Sequence, residues 1–117
     1  MGPTLQEFKA ELFKALSHPA RIRILELLRD GERTVTDLQT QLQIESSTVS
    51  QQLASLRAKH ILDARKEGTS VYYRVRDPRV FDMLDTARVM FQNHLASLQN
   101  LAAQDEGGQR PAGGPAG

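Results

Sequence analysis

Residues 46–56 read SSTVSQQLASL. Val49, Leu53 and Leu56 recur at i, i+4 and i+7, so one side of a helix is apolar. Around them, Ala54 apart, are hydroxyls and amides: Ser46, Ser47, Thr48, Ser50, Gln51, Gln52 and Ser55, with no charge before Arg57. A helix face meant for water ordinarily carries Glu and Lys. With the apolar stripe turned to a core at about 100° per residue, Ser47, Gln51, Ala54 and Ser55 point outward and Ser50 and Thr48 flank them. Short hydroxyls and amides suit the edges of bases: glutamine pairs bidentately with adenine, and serine serves either base type. The small Ala54 and Ala58 let such a helix come close to its target. The bland alternative is a surface helix that happens to be polar.

The stretch just before it, TVTDLQTQLQI at 34–44, forms a short helix of its own. Thr34 is read as its cap, with Asp37 at the box position, and Val35, Leu38 and Leu42 face inward. A short helix, a tight turn at Ile44 and a second helix from about Ser46 make a helix-turn-helix, whose second helix enters the DNA major groove. Ser46 or Ser47 is expected to cap that second helix.

Further upstream, TLQEFKAELFKAL at 4–16 repeats apolar residues at Leu5, Phe8, Leu12, Ala15 and Leu16, and Thr4 with Glu7 forms a capping box. SHPARIRILELLRDGE at 17–32 starts at Pro19, buries Ile22, Leu25 and Leu28 with Ile24 and Leu27 beside them, and stops at Gly31. Downstream of the opening stretch, the hydrophobic period changes from 3.6 to 2. LDARKEGTSVYYRVRD at 62–77 holds two strands around Glu67-Gly68-Thr69-Ser70, with Val71, Tyr73 and Val75 on one face and Tyr72, Arg74 and Arg76 on the other. A lone hairpin is marginal, so this wing must lean on the helices. A long helix follows from 78 to about 103. Phe81, Leu84, Phe91, Leu95 and Leu98 fall on a and d positions, with Arg88 interrupting. That stripe is too long for so small a domain to cover, and the same helix of a second copy is the expected partner. The domain is expected over 4–103. The Gly/Pro/Ala-rich tail, 104–117, has no core-forming residues and is expected to be disordered.

Length and composition fit this plan. The chain has 117 residues, no cysteine and a net charge of +1. One small domain is implied, without disulfides, thiolate metal sites or redox thiols. The N-terminus is amphipathic and charged rather than a signal peptide, and no apolar run approaches the ~20 residues of a membrane span. The expected location is the cytoplasm, with no membrane partner. Charge is uneven: from Arg57 to Arg79 seven bases face three acids, a local excess of +4 compatible with phosphate contact or with a merely solvated surface. An enzyme is not indicated, because there is no cysteine nucleophile, no glycine-rich phosphate loop and no histidine in an acid–base arrangement.

The strings FKALSHPARIRILELL, TVTDL, STVSQQLASLRAKHIL and EGTSVYYRV, in that order and spacing, closely resemble the ArsR/SmtB family of bacterial winged helix-turn-helix regulators. The resemblance runs from about Phe8 to Phe91. It implies a mainly α fold with a small β-hairpin, in the order α-α-α-α-β-β-α, a homodimer through the first and last helices, and binding of double-stranded operator DNA, most often as a repressor. Leu5, Phe8, Leu12, Phe81, Leu84, Phe91, Leu95 and Leu98 are then the dimer-forming residues. The resemblance also places DNA contacts at Ser46, Ser47, Ser50 and Gln51, of which Ser50 and Gln51 rank above Ser46 as base readers. Arg57, Lys59, Arg65 and Lys66 are candidates for phosphates, which position rather than specify.

The sensing chemistry departs from the family. Many members carry thiolates on the third helix in a motif like ELCVCDL, where this chain has ERTVTDL, and Thr34 and Thr36 are poor ligands for soft ions. A second family site, across paired last helices, aligns here with Asp77, Arg79, Met90 and Asn93, of which only Asp77 is a plausible ligand. No cofactor is required. With a dimer mate, His94 could join Glu7, Glu11 or Asp85 in an oxygen/nitrogen site for nickel, cobalt or zinc, with Asp77 a further weak candidate, but the plainer reading of His94, an exposed helical histidine, is preferred. His18 suits capping or packing at its helix start, and His60 ends the recognition helix, capping it or meeting a phosphate. A regulatory partner protein could supply the missing sensor.

Overall fold

The computed structural model describes residues 2–106. The order is α1 (Leu5–Ala15), α2 (Pro19–Leu27) with a 3-10 turn at Leu28–Asp30, α3 (Val35–Leu42), α4 (Ser46–Ala58), β1 (Leu62–Glu67), β2 (Ser70–Val75) and α5 (Arg79–Glu106). It is the mainly α fold with a β-hairpin after four helices that the residue pattern implies. α5 runs to Glu106, so residues 104–106 of the expected tail are helical, and the rest of that tail lies outside the described residues.

Local chemistry sets each boundary. Thr4 Oγ1 accepts from Glu7 N–H at 3.1 Å while the Glu7 carboxylate accepts from Thr4 N–H at 3.1 Å, so the capping box of α1 is complete. Pro19 opens α2, whose His18 cap position has no side-chain bond. Thr34 Oγ1 accepts from Asp37 N–H at 3.2 Å and starts α3. α3 ends on Gln43 at φ 56°, and α4 ends by passing through His60 at φ 62°. At the latter end, Ile61 N–H donates to Leu56 O at 3.0 Å and His60 N–H to Arg57 O at 2.9 Å. That pair of bonds is the Schellman termination, with buried Ile61 and Leu56 supplying its apolar contact. His60 therefore occupies the left-handed position that glycine usually fills.

The first compact unit extends from Met1 to Phe81. Its core joins Ile24, Leu25 and Leu28 of the second helix region, Leu38 and Leu42 of α3, and Val49, Leu53 and Leu56 of α4. Ile61, Leu62 and Val80 close it from the wing side. The stripe of α2 is centred one step from the expected one, with Ile24 fully buried and Ile22 and Leu27 half-buried. Val35 is likewise half-buried rather than internal.

The wing is an antiparallel pair with Leu62 opposite Val75 and Glu67 opposite Ser70. Gly68, at φ 62°, makes the two-residue turn. Its support is a feature the residue pattern does not announce. Arg33 N–H donates to Tyr73 O at 3.1 Å and Tyr73 N–H to Arg33 O at 2.9 Å, so the segment before α3 pairs with β2.

The second unit is α5 from Asp82 onward. It exposes Val89, Met90, Phe91, Leu95, Leu98 and Leu101. Between Gln92 and Gln104 it carries no Asp, Glu, Lys or Arg. No helix among the described residues is long and apolar enough to cross a membrane.

Candidate nucleic-acid interface

α4 has two unlike sides. Val49, Leu53 and Leu56 are fully buried, while Ser46, Ser47, Ser50, Gln51, Ala54 and Ala58 are exposed. Among the described residues, the side chains of Ser46, Ser47, Ser50 and Gln51 make no hydrogen bond or ion pair. Four polar side chains thus stand free on one face of a helix whose other face is closed.

Two expectations about this helix need correction. The cap is neither Ser46 nor Ser47: Glu45 holds the position, its carbonyl takes the Val49 N–H at 3.1 Å, and no side chain caps the end. Glu45, extended at φ −64° and ψ 143°, takes the cap position ahead of the expected serines, so both serines are already helical. Ser55 does not point outward. It is half-buried, and its Oγ accepts from Arg21 Nη2 at 2.8 Å.

The four phosphate candidates divide. Arg57, on the last turn of α4, and Lys66, near the wing tip, are exposed and carry no ion pair among the described residues. Lys59 binds Glu11 of α1 at 2.8 Å, which holds the Glu11 carboxyl below its ordinary range. Arg65 is more tightly engaged. Its guanidinium binds Glu67 at 2.7 Å and Glu32 at 2.9 Å and lies 4.7 Å from the centre of the Tyr72 ring. The bonds to Glu67 and then Glu32 raise its pKa still further. Asp63 similarly draws in Arg76 at 2.7 Å and Arg74 at 3.6 Å, and its carboxyl is held low, first by the Arg76 hydrogen bond. Glu11 and Glu32, from outside 57–79, thus neutralise part of the local excess, in which Asp63 and Glu67 are already counted.

Three of the metal candidates already have partners within the first unit. Glu7 serves the α1 cap, Glu11 serves Lys59, and Asp77 Oδ1 accepts from Arg79 N–H at 3.0 Å at the start of α5. His94 is exposed on α5. Among the described residues no three His, Cys, Asp or Glu gather closely enough to hold an ion. Of the dimer candidates, Leu5, Phe8, Phe91, Leu95 and Leu98 are exposed and Leu12, Phe81 and Leu84 half-buried. Phe81 also has a role within the chain, with Arg29 placed 5.0 Å over its ring.

Three arginines carry structure that the residue pattern does not reveal. Arg33 donates to Leu27 O at 2.9 Å and to Asp37 at 2.8 Å, fastening the segment that supports the wing. Arg23 reaches Leu42 O at 3.3 Å. Arg21 ties α2 to α4 and to the end of α1. A signal for Arg21 exists in the sequence: it stands three and four residues before Ile24 and Leu25, hence on the inward side of α2.

Comparison with known proteins agrees with this geometry. Residues 18–63, which hold α2, α3 and α4, match the family described as "Bacterial regulatory protein, arsR family". The chain is 40% identical over 104 residues to the uncharacterized HTH-type transcriptional regulator Rv0081 of Mycobacterium tuberculosis, spanning 85% of this chain and 91% of that one. The crystal structure of Rv0081 superimposes with a TM-score of 0.71, covering 82% of this chain and 97% of the other. The homodimeric winged helix-turn-helix DNA-binding domain of Mb0332 from Mycobacterium bovis, a possible ArsR-family regulator, superimposes with a TM-score of 0.70 at 34% identity, over 78% and 84% of the two chains. The biofilm growth-associated repressor of Agrobacterium fabrum is 35% identical over 70% of each chain. The family is one of DNA-binding regulators rather than catalysts, and the chain belongs to it: it is an ArsR/SmtB-type winged helix-turn-helix protein.

Proposed function

We propose that the protein is a homodimeric transcriptional regulator, acting in the cytoplasm, that reads an inverted-repeat operator through α4. The observation that carries this reading is the outer face of α4, where Ser46, Ser47, Ser50 and Gln51 are exposed and unpartnered among the described residues. A side chain already bonded within the chain must break that bond before it reads a base. These four have nothing to break, and their donors and acceptors match base edges. Arg57 and Lys66 are equally free and are assigned to phosphates. Lys59 and Arg65 must first give up carboxylate partners, so their share in phosphate contact is smaller.

The exposed apolar residues of α1 and α5 support self-association, and the homodimeric Mb0332 domain is a related precedent. A two-fold dimer presents two copies of α4 to two half-sites about one helical turn apart, ~34 Å or a multiple. Repression is favoured because related chains from Agrobacterium and Synechocystis are named as repressors.

Selection of bound duplexes from a random DNA pool tests the reading. An inverted repeat with that spacing, bound by a dimer, is the expected result. Enrichment of no sequence, or of a lone half-site by a monomer, would contradict it. Repeating the binding with chelator and then with nickel, zinc and cobalt finds the effector. A change with one metal points to a ligand set that includes His94, and indifference to all three points to a partner protein.

A further inference from the structure

We propose that Arg21 is a positioning residue for DNA reading: it fixes the rotation of α4 about its own axis, and sequence discrimination depends on it although it reads no base. The inference rests on the assignment of α4 as the reading helix.

Arginine on the inward side of a helix is costly unless its donors find acceptors. Arg21 meets this condition with three separate acceptors. Nε donates to Gln52 Oε1 at 2.7 Å, Nη2 to Ser55 Oγ at 2.8 Å and Nη1 to Ala15 O at 3.1 Å. Ala15 is the last residue of α1, and its carbonyl is one that the ending helix leaves open. Gln52 and Ser55 lie one turn apart on α4, on the flank that borders the reading face. Gln52 follows Gln51 directly, and Ser55 stands four residues beyond it.

The guanidinium is planar, so the three bonds fix one orientation. With a helix radius including side chains of about 5–6 Å, turning α4 by about 20° moves its outer atoms by about 2 Å. That shift breaks bonds of 2.7 and 2.8 Å to a rigid fork. It is equally fatal to a bidentate base contact, whose tolerance is a few tenths of an ångström. Long lysine and arginine side chains absorb the same shift without losing a phosphate. Loss of Arg21 should therefore lower discrimination between sequences far more than general affinity for DNA. The Glu11–Lys59 pair also links α1 to the end of α4, but a single exposed ion pair is too weak to set the rotation.

The test measures affinity for the selected operator and for unrelated DNA across a salt series, with thermal melting as a check on the fold. The proteins are wild type, Arg21→Lys, Arg21→Met and the double variant Gln52→Ala/Ser55→Ala. The expected result is a fall of about tenfold or more in the operator preference, with binding to unrelated DNA within about twofold of wild type and the salt slope unchanged. The double variant keeps Arg21 and its Ala15 bond, so it answers the question even if Arg21→Met fails to fold. Wild-type preference in Arg21→Lys and in the double variant would overturn the inference. So would a uniform loss with a salt slope shallower by about one unit, which would make Arg21 a phosphate contact. A wild type with no operator preference would instead sink the assignment of α4, and this inference with it.

Discussion

α4 and α5 both expose a face that ordinary solvent-facing helices lack, and the two faces differ in kind. α4 offers hydroxyls and amides above a closed apolar stripe. α5 offers the apolar stripe itself, with Phe91 59% and Leu98 48% exposed. The first chemistry suits a polar surface that carries information in donors and acceptors. The second suits another protein surface from which water can be expelled. On the proposed function, reading and pairing fall to separate helices, and substitutions should separate them too.

The largest expected effect falls on the inner side of α4. Leu53→Ala should cost about 2–5 kcal/mol in chemical denaturation, because Leu53 is completely buried and the space it leaves cannot fully collapse. If α5 pairs as proposed, Leu95→Glu should leave the fold of a monomer intact while weakening the dimer by roughly a hundredfold or more, since each copy would bury an unpaired charge. Sedimentation over a concentration series reads this directly. A Leu95→Glu protein that remains dimeric would break the contrast between the two helices.

A smaller effect, of opposite sign, is expected where α4 ends. His60→Gly should raise stability by about 1 kcal/mol, because His60 holds the left-handed conformation at φ 62°. Unchanged or lower stability on unfolding would mean that the imidazole makes up for the strain.

The smallest effect is a response to acid. The carboxyls of Asp63, Glu11 and Glu7 are held below their ordinary values by Arg76, Lys59 and Thr4 respectively. A depressed carboxyl contributes stability that is present above its unfolded pKa and is lost as pH falls through its folded one. The melting temperature should therefore hold steady near neutrality and decline once pH drops below about 4.5. Lys59→Met should remove the Glu11 share of that decline and no more.

Much of this was legible in the residues, and what was not has a common cause. Periodicity found all five helices, and the change to period 2 found the wing, although burial along its two strands does not alternate. The capping box at Thr4 and the cap at Thr34 were legible because both partners lie within one turn. Engagement across the fold was hidden. Arg65 looked like a free wing cation, yet one of its carboxylates, Glu32, lies 33 residues away in sequence. Ser55 looked outward until Arg21, 34 residues earlier, claimed it. The cap of α4 is hidden because three consecutive hydroxyl residues, 46–48, all satisfy the local rule, while Glu45, which holds the position, caps with no side chain.

If Gln51 reads sequence while Lys66 holds the backbone, one paired salt titration separates the two roles most directly. Wild type, Gln51→Ala and Lys66→Ala would be titrated against the selected operator and base-substituted versions of it. Gln51→Ala should lose about 1–3 kcal/mol of discrimination at one base position in each half-site and keep the wild-type salt slope. Lys66→Ala should weaken all sequences alike, with a slope shallower by about 0.9 for each phosphate that the lysine neutralises in wild type. Uniform loss of affinity in both variants, with the sequence preference intact, would contradict the division of labour drawn here.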